Sequence, residues 1–444
     1  MERSMVRRHA GALVLLLGAW ATQSACAPGS GGARAAAPAP SQAAAGTSGI
    51  WPQFRGPNRD GVSRETGLLK QWPAGGPPLL WKAHGIGTGN SAPSVAGGAL
   101  YGTSNRGGDE CVWALQEATG KEVWSVRIAA ANRSVGPQAQ DGPGCTPTVV
   151  GERLYAVGES GDVVCLQVSD GKLLWQKNLV QDFGGAVPRW GYQESPLVDG
   201  DKVVVTPGGR TAPLVALDRM TGAVVWKASI PQGDGAGYSS AIVAEVGGKR
   251  QYIQLTAGGL VGVSAADGRL LWRYNAPANS WGINCSAPIY QDGTVFAASA
   301  YNNGGGLAKL AATADGGVGA TEVYFTRDMR NQHGGMVVVD GFLYGFSDSV
   351  LTCLDFKTGA VKWAERGGAQ GSVTYADGHL YVRSEQGPMA LVQASPERYV
   401  EKGRFEQPDR SRKTTWPYPV IAGGRLYLRD HDVLLCYSVK AAGR

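Results

Sequence analysis

A tryptophan returns at the end of one short apolar stretch after another, and its spacing restricts the chain to a repeat architecture. Trp124, Trp175, Trp226 and Trp272 follow one another at intervals of 51, 51 and 46 residues. Propeller blades have a period of roughly 40–50 residues. Each tryptophan closes the same pattern of an apolar strand, an Asp-Gly or Thr-Gly turn and a second apolar strand. The pattern reads Ala114-Leu115, Thr119-Gly120, Val123-Trp124, and again Cys165-Leu166, Asp170-Gly171, Leu174-Trp175. It returns as Ala216-Leu217, Thr221-Gly222, Val225-Trp226, and as Val263, Asp267-Gly268, Leu271-Trp272. A later copy is Cys353-Leu354, Thr358-Gly359, Lys362-Trp363.

A second pair of short strands precedes each of these, as in Ala92-Pro93-Ser94-Val95 with Ala99-Leu100-Tyr101, or Thr146-Pro147-Thr148-Val149 with Arg153-Leu154-Tyr155. Eight such starts fall near Ser91, Cys145, Glu194, Ser239, Cys285, His333, Gln370 and Trp416. Two hairpins per unit make a four-stranded antiparallel blade, and Gly/Asp turns between apolar runs are the chemistry hairpins need. Unit five carries Glu322-Val323-Tyr324-Phe325 where the Trp strand belongs, and unit seven ends in Gly403-Arg404-Phe405. Unit eight supplies three strands through Tyr437, and Leu79-Leu80-Trp81-Lys82 ahead of unit one supplies the fourth. Pairing of N- and C-terminal strands then closes the ring and removes its open edges. The sequence therefore predicts an all-β fold, a single eight-bladed β-propeller of four-stranded antiparallel blades over 79–440. The repeated tryptophans are expected to pack blade against blade, each burying about 150–250 Å2.

The first residues predict export. Arg3, Arg7 and Arg8 precede a short apolar stretch from Ala12 to Ala21, and small residues follow. Residues 1–26 are read as a signal peptide, and Ser24-Ala25-Cys26 resembles the end of a lipobox apart from Gln23. Lipidation of Cys26 and ordinary cleavage nearby both fit. Residues 27–49 are Ala, Gly, Pro and Ser with almost no large apolar side chain, a composition for a disordered tether. Residues 50–78 form an N-terminal arm, whose Arg55, Asn58, Arg59 and Asp60 are expected to pin it across blade edges by hydrogen bonds. A net charge of +6 and 18% charged residues leave no dense basic stripe, so nucleic acid is not an expected partner. A membrane is expected only through the lipid anchor, and the chain is expected to be a monomer.

Seven cysteines invite a disulfide reading in an oxidising compartment. The repeat argues otherwise, because Cys165, Cys353 and Cys436 take the same position in different blades, beyond the ~7 Å reach of a bridge. They are expected to be buried thiols. There is no haem-attachment motif, and His9, His84, His333, His379 and His431 lack metal-ligand spacing.

Chemistry in a propeller is expected where the loops entering the innermost strands converge. Those loops carry Asn90 and Ser91, Cys145, Tyr192, Gln193 and Glu194, Tyr238 and Ser239, Trp281, Asn284 and Cys285, Asn331, Gln332 and His333, Gln370, Thr415 and Trp416. The ligand-binding candidates among them are Tyr192, Glu194, Tyr238, Trp281, Asn284, Cys285, His333, Gln370 and Trp416. His333 and Glu194 are the catalytic candidates. Against this stands the simpler reading that the same groups bond one another around a water-filled axis.

The repeats from Pro78 to Lys440 resemble the quinoprotein-type propeller family, which holds pyrroloquinoline quinone (PQQ) dehydrogenases and the propeller lipoprotein of the outer-membrane barrel-assembly machinery. The segment Trp51-Pro52-Gln53-Phe54-Arg55-Gly56-Pro57-Asn58-Arg59-Asp60-Gly61 is similar to the N-terminal signature of exported PQQ-like propellers. Asn331-Gln332-His333-Gly334-Gly335 and the run from Ala422 to Asp430 add to the likeness. The resemblance implies PQQ and Ca2+ as cofactors to consider, with Trp281 or Trp416 stacking on the quinone and Glu194 and Asn284 holding the metal. It also implies an Asp as base and a vicinal Cys-Cys, and this chain has neither: His333 stands in the base position, Asp141 is a weak substitute, and no two cysteines are adjacent. The leading expectation is a binding or scaffold propeller in the periplasm or anchored to the outer membrane, for a protein partner or a small polar ligand, leaning away from catalysis. The alternatives are a quinoprotein-type dehydrogenase acting on an alcohol, sugar or polymer, and a structural subunit of an envelope assembly.

Overall fold

The central strands of every unit are apolar on both faces, which fits burial between two neighbouring sheets. In Asp162–Gln167 the run Val163, Val164, Cys165 and Leu166 has no solvent exposure. A computed structural model describes residues 49–132, 141–367 and 369–442; the predicted signal peptide, Cys26 and the body of the predicted tether lie outside them. The strands form eight antiparallel blades of four, consecutive in sequence except at the closure. There, Leu79–Ala83 pairs with Val433–Ser438, with Trp81 opposite Cys436 and Ala83 opposite Leu434. The predicted eight-bladed ring and its closure by N- and C-terminal strands are both observed.

Outer strands follow a different rule. In Val224–Lys227 the side chains of Val224 and Val225 are exposed and only Trp226 turns inward. The inward turn coincides with a β-bulge: the register with the neighbouring strand shifts between Ala216 and Leu217, next to Trp226. Five of the inward indoles reach into the following blade, whereas Trp272 donates its Nε1–H to Gln251 Oε1 of its own blade. Trp81, Trp124, Trp175, Trp226 and Trp363 donate their Nε1–H to the carbonyls of Glu117, Val168, Arg219, Ala265 and Ser395 at 2.7–3.1 Å. The ring also covers the turn glycine of that next blade. A Cβ on Gly222 would lie 2.9 Å from the Trp175 ring, and the residue has φ of 72°. Glycine is required there both for the turn and for the approach of the ring.

The two irregular units are completed by other aromatic groups. In unit five Tyr324 takes the tryptophan position, lies against Gly359 and donates its hydroxyl to the Phe356 carbonyl at 2.9 Å. In unit seven Gly403 stands opposite Leu391, the register position that holds Trp in other blades. Trp72 of the arm fills the space left open, 5.8 Å from the Tyr381 ring and 5.1 Å from Phe405, with its backbone N–H bonded to the Lys402 carbonyl.

The arm itself crosses the inner strands at the hub. Trp51 exchanges backbone bonds with Val95, Pro52 accepts from Val149, and Val62–Ser63 adds in parallel to Gly371–Ala376. Arg59 donates to the Ser195 and Pro196 carbonyls at 2.8 and 3.2 Å, and Arg55 donates to the Met336 carbonyl. The Asp60 carboxylate caps the Val62 N–H, while Asn58 is exposed. Six of the cysteines are free, five of them buried and Cys285 half-buried.

If Trp72 is part of blade seven, truncating it leaves a cavity in the core. Trp72→Ala is expected to cost about 3–5 kcal/mol and to lower the urea midpoint. An unchanged midpoint would show that the arm merely rests on the ring.

Candidate functional site

The loops that enter the inner strands gather around a cavity of about 310 Å3 at one end of the axis. Its floor is the arm and blade eight. Phe54 stands edge-on to Tyr418 at 5.6 Å, and the Arg55 N–H donates to the Tyr418 hydroxyl at 2.9 Å. Behind Phe54 lies Arg59, its guanidinium 5.3 Å from the ring centre. Burial lowers the Arg59 pKa only to about 10, so it stays charged at neutral pH, with its donors turned to backbone carbonyls.

The walls carry Trp190, Tyr238, Tyr301 and Trp416, with Asn90, Asp141, Gln193, Gln332, His333 and Cys285 between them. Tyr238 has φ of 80°, a costly conformation for a bulky residue, and its ring packs 5.9 Å from Trp190. Tyr301 also lies in the left-handed region, and its hydroxyl accepts from Gln332 Nε2 at 2.9 Å. The imidazole of His333 sits 5.1 Å from the Trp416 ring, and its Nε2 is 3.5 Å from Glu385. Burial pushes His333 down to about 4 and raises Glu385, whose carboxyl also takes a hydrogen bond from Trp416. The imidazole is therefore neutral at pH 7. Asp141 is paired with Lys413 at 2.9 Å.

Of the ligand-binding candidates, Tyr238, Cys285, His333 and Trp416 line the cavity. The others have different surroundings. Tyr192 is buried and donates its hydroxyl to the Pro207 carbonyl at 2.8 Å. Glu194 is buried beside the cavity wall and accepts the Thr206 N–H at 2.6 Å. Asn284 is fully buried; its amide donates to the Thr256 carbonyl at 2.8 Å and its oxygen accepts the Asn279 N–H at 3.0 Å. Those bonds hold a loop that turns Trp281 outward to 71% exposure. Gln370 is half-buried, and its carbonyl accepts from Glu385 N–H. Phe54, Trp190, Tyr301 and Tyr418 line the cavity and were not among the predicted residues. Phe54 lies inside the recognised arm motif and Tyr418 two residues beyond Trp416; Trp190 and Tyr301 carry no repeat signal.

Three carboxyl groups are buried in the wall of blades one to three. The Glu159 N–H donates to both oxygens of Glu110 at 3.1 and 3.0 Å, and Glu159 accepts from Asn105 at 3.0 Å. Burial raises Glu159 and Glu194 from 4.5 to about 7 and Glu110 well above its ordinary value. Among the described residues no Lys or Arg lines the cavity, and no three His, Cys, Asp or Glu side chains cluster as metal ligands. A quinone bearing three carboxylates finds no cationic partner among the described residues of these walls, and Glu194 and Asn284 already serve backbone groups. The residues present do not fit PQQ with Ca2+.

Residues 108–365 match the family described as outer membrane protein assembly factor BamB. The protein of that name from Salmonella typhimurium is 28% identical over 202 residues, covering 41% of this chain and 47% of the relative. The match thus spans about half the length of that relative. The quinohemoprotein alcohol dehydrogenase ADHIIG of Pseudomonas putida HK5 has a TM-score of 0.52 at 14% identity, covering 89% of this chain and 81% of its own. The computationally designed protein Ika8 has a TM-score of 0.57 at 9% identity, covering 81% and 99%. Likeness at these identities shows a shared fold.

The raised carboxyls have a consequence for stability. A carboxyl whose pKa is higher folded than unfolded supports the fold below its unfolded value, and that support is lost as pH rises through the folded value. For Glu194 the window runs from about 4.5 to about 7. Wild type is expected to lose melting temperature relative to Glu194→Gln as pH rises from about 5 to about 8. A difference that stays constant across that range contradicts the assignment.

Proposed function

Because the chain belongs to the family of outer membrane protein assembly factor BamB, we propose that it is a non-catalytic propeller of the cell envelope that holds a protein partner during outer-membrane protein assembly. The match over 108–365 carries this reading. The cavity supports it from the other side. A general base works best with a pKa near the operating pH, and burial keeps His333 at about 4. The basic residues Arg3, Arg7 and Arg8, the apolar stretch behind them and Cys26 support export, with a lipid anchor at the outer membrane.

The surface offers an anchor for such a partner. Trp281 is 71% exposed, on a loop fastened by Asn279 and Asn284: its own N–H and that of Ile283 both donate to Asn279 Oδ1. Large aromatic side chains held rigidly in the open are the residue type that dominates interface energies. A fixed loop also costs little further ordering on binding.

Affinity purification from detergent-solubilised envelopes is expected to recover outer-membrane assembly proteins with wild type and to lose them with Trp281→Ala at unchanged melting temperature. Recovery of the same proteins with both forms would remove Trp281 as the anchor; recovery of none would remove the scaffold reading. In parallel, PQQ with Ca2+ is expected to leave the melting temperature where it is. A ligand at 100 times its Kd adds about 2.7 kcal/mol, so a clear rise, with dye-linked alcohol oxidation, would restore the dehydrogenase alternative.

A further inference from the structure

We infer that the hub cavity binds a neutral, ring-shaped polyhydroxyl ligand, a saccharide, held between the aromatic walls and hydrogen-bonded by the neutral polar groups set among them. This goes beyond the scaffold reading and stands independently of it. Four aromatic side chains, Trp190, Tyr238, Tyr301 and Trp416, present rings to a space of about 310 Å3. That is near the lower end of small-molecule sites, about 300–1,000 Å3, and suits about one or two sugar rings. Flat rings match the C–H faces of a pyranose through dispersion and area burial.

Polar groups on the same walls have capacity left. Asn90 accepts the Trp416 N–H at 3.4 Å through its carbonyl oxygen, while its NH2 group makes no side-chain bond among the described residues. The Tyr301 hydroxyl accepts from Gln332 and keeps its own proton to give, and Gln332 keeps its carbonyl oxygen. Hydroxyls that donate and accept satisfy all three. A hydrocarbon would leave them unpaired, at about 1–3 kcal/mol for each buried group.

Charge removes the other classes. An anion finds no Lys or Arg among the described residues of the walls. A quaternary ammonium ion would be drawn to an aromatic cage, but the cavity carboxylate, Asp141, is already matched by Lys413 at 2.9 Å. Such a ligand would also leave the Asn90 NH2 group unsatisfied.

The purified protein is screened on a glycan array and then titrated by tryptophan fluorescence with glucose, N-acetylglucosamine, maltose and cellobiose, with choline and citrate as charged controls. At least one neutral saccharide is expected to bind with a Kd of about 1 mM or tighter. Trp416→Ala and Tyr301→Ala are expected to weaken it about tenfold, Trp416→Phe by less, and Val224→Ala on the perimeter not at all. Circular dichroism checks that each variant is folded. The inference is overturned if no neutral saccharide binds by about 10 mM, if choline or citrate binds instead, or if Trp416→Ala leaves the affinity unchanged.

Discussion

The ring depends on one recurrent contact: an indole that leaves its own blade and finishes the turn of the next. Each such side chain meets two requirements at once. Its N–H satisfies a carbonyl at the end of the neighbouring hairpin, as Trp175 does for Arg219. Its ring covers a glycine that has no side chain to resist it, as Gly222 shows. Area burial alone would tolerate many arrangements of two apolar sheets. The directed hydrogen bond and the glycine approach fix the rotation between them. Blades one, two, three, six and eight each reach the next blade in this way, so an open array would leave an indole without its turn. Trp81, supplied by the closing strand, reaches blade one at Glu117 and completes the circuit.

That logic explains the arm. Unit seven lacks the outer tryptophan, and Trp72 occupies the vacant register position from outside the repeat. The chain leading up to it is thereby drawn through the hub, where Arg55 and Arg59 meet carbonyls of blades six and three. Buried guanidinium groups without a carboxylate partner are costly to desolvate. Planar donors facing several carbonyls at fixed angles recover part of that cost and specify one position of the arm. The arm in turn supplies Phe54 as the cavity floor. A contact that began as blade packing therefore decides where the pocket ends.

Periodicity made the ring legible in the sequence, and it stopped at the loops. Blade number and the closing strand at Trp81 could be read because each holds a repeat position; unit five was legible only as an irregular strand over Glu322-Val323-Tyr324-Phe325, and the structure shows Tyr324 in the tryptophan position. Trp72 could not, since it completes a repeat without belonging to one. The funnel was legible as a set of loops, and Tyr238, Cys285, His333 and Trp416 were picked from it. The direction of each side chain was not. Asn284 turns toward the Thr256 carbonyl and so ejects Trp281, and Glu194 turns into the Thr206 backbone. Those outcomes follow from which backbone groups lack partners in folded loops, information that spacing does not contain. Tyr301 and Tyr238 adopt positive φ, which sequence patterns assign to Gly or Asn.

Burial governs the character of the hub more than the choice of residue types does. The same side chains, an imidazole and several carboxyls, could serve acid–base chemistry if solvent reached them. Here desolvation holds His333 neutral and raises Glu110, Glu159 and Glu194 toward their neutral forms. Asp141, on the cavity wall, is paired with Lys413. A pocket whose described lining carries neither Lys nor Arg selects chiefly by shape and hydrogen-bond count. Scaffold and pocket then coexist without conflict. The blade contacts and the buried arm carry the stability, and the loops that form the rim are left to hold whatever binds there.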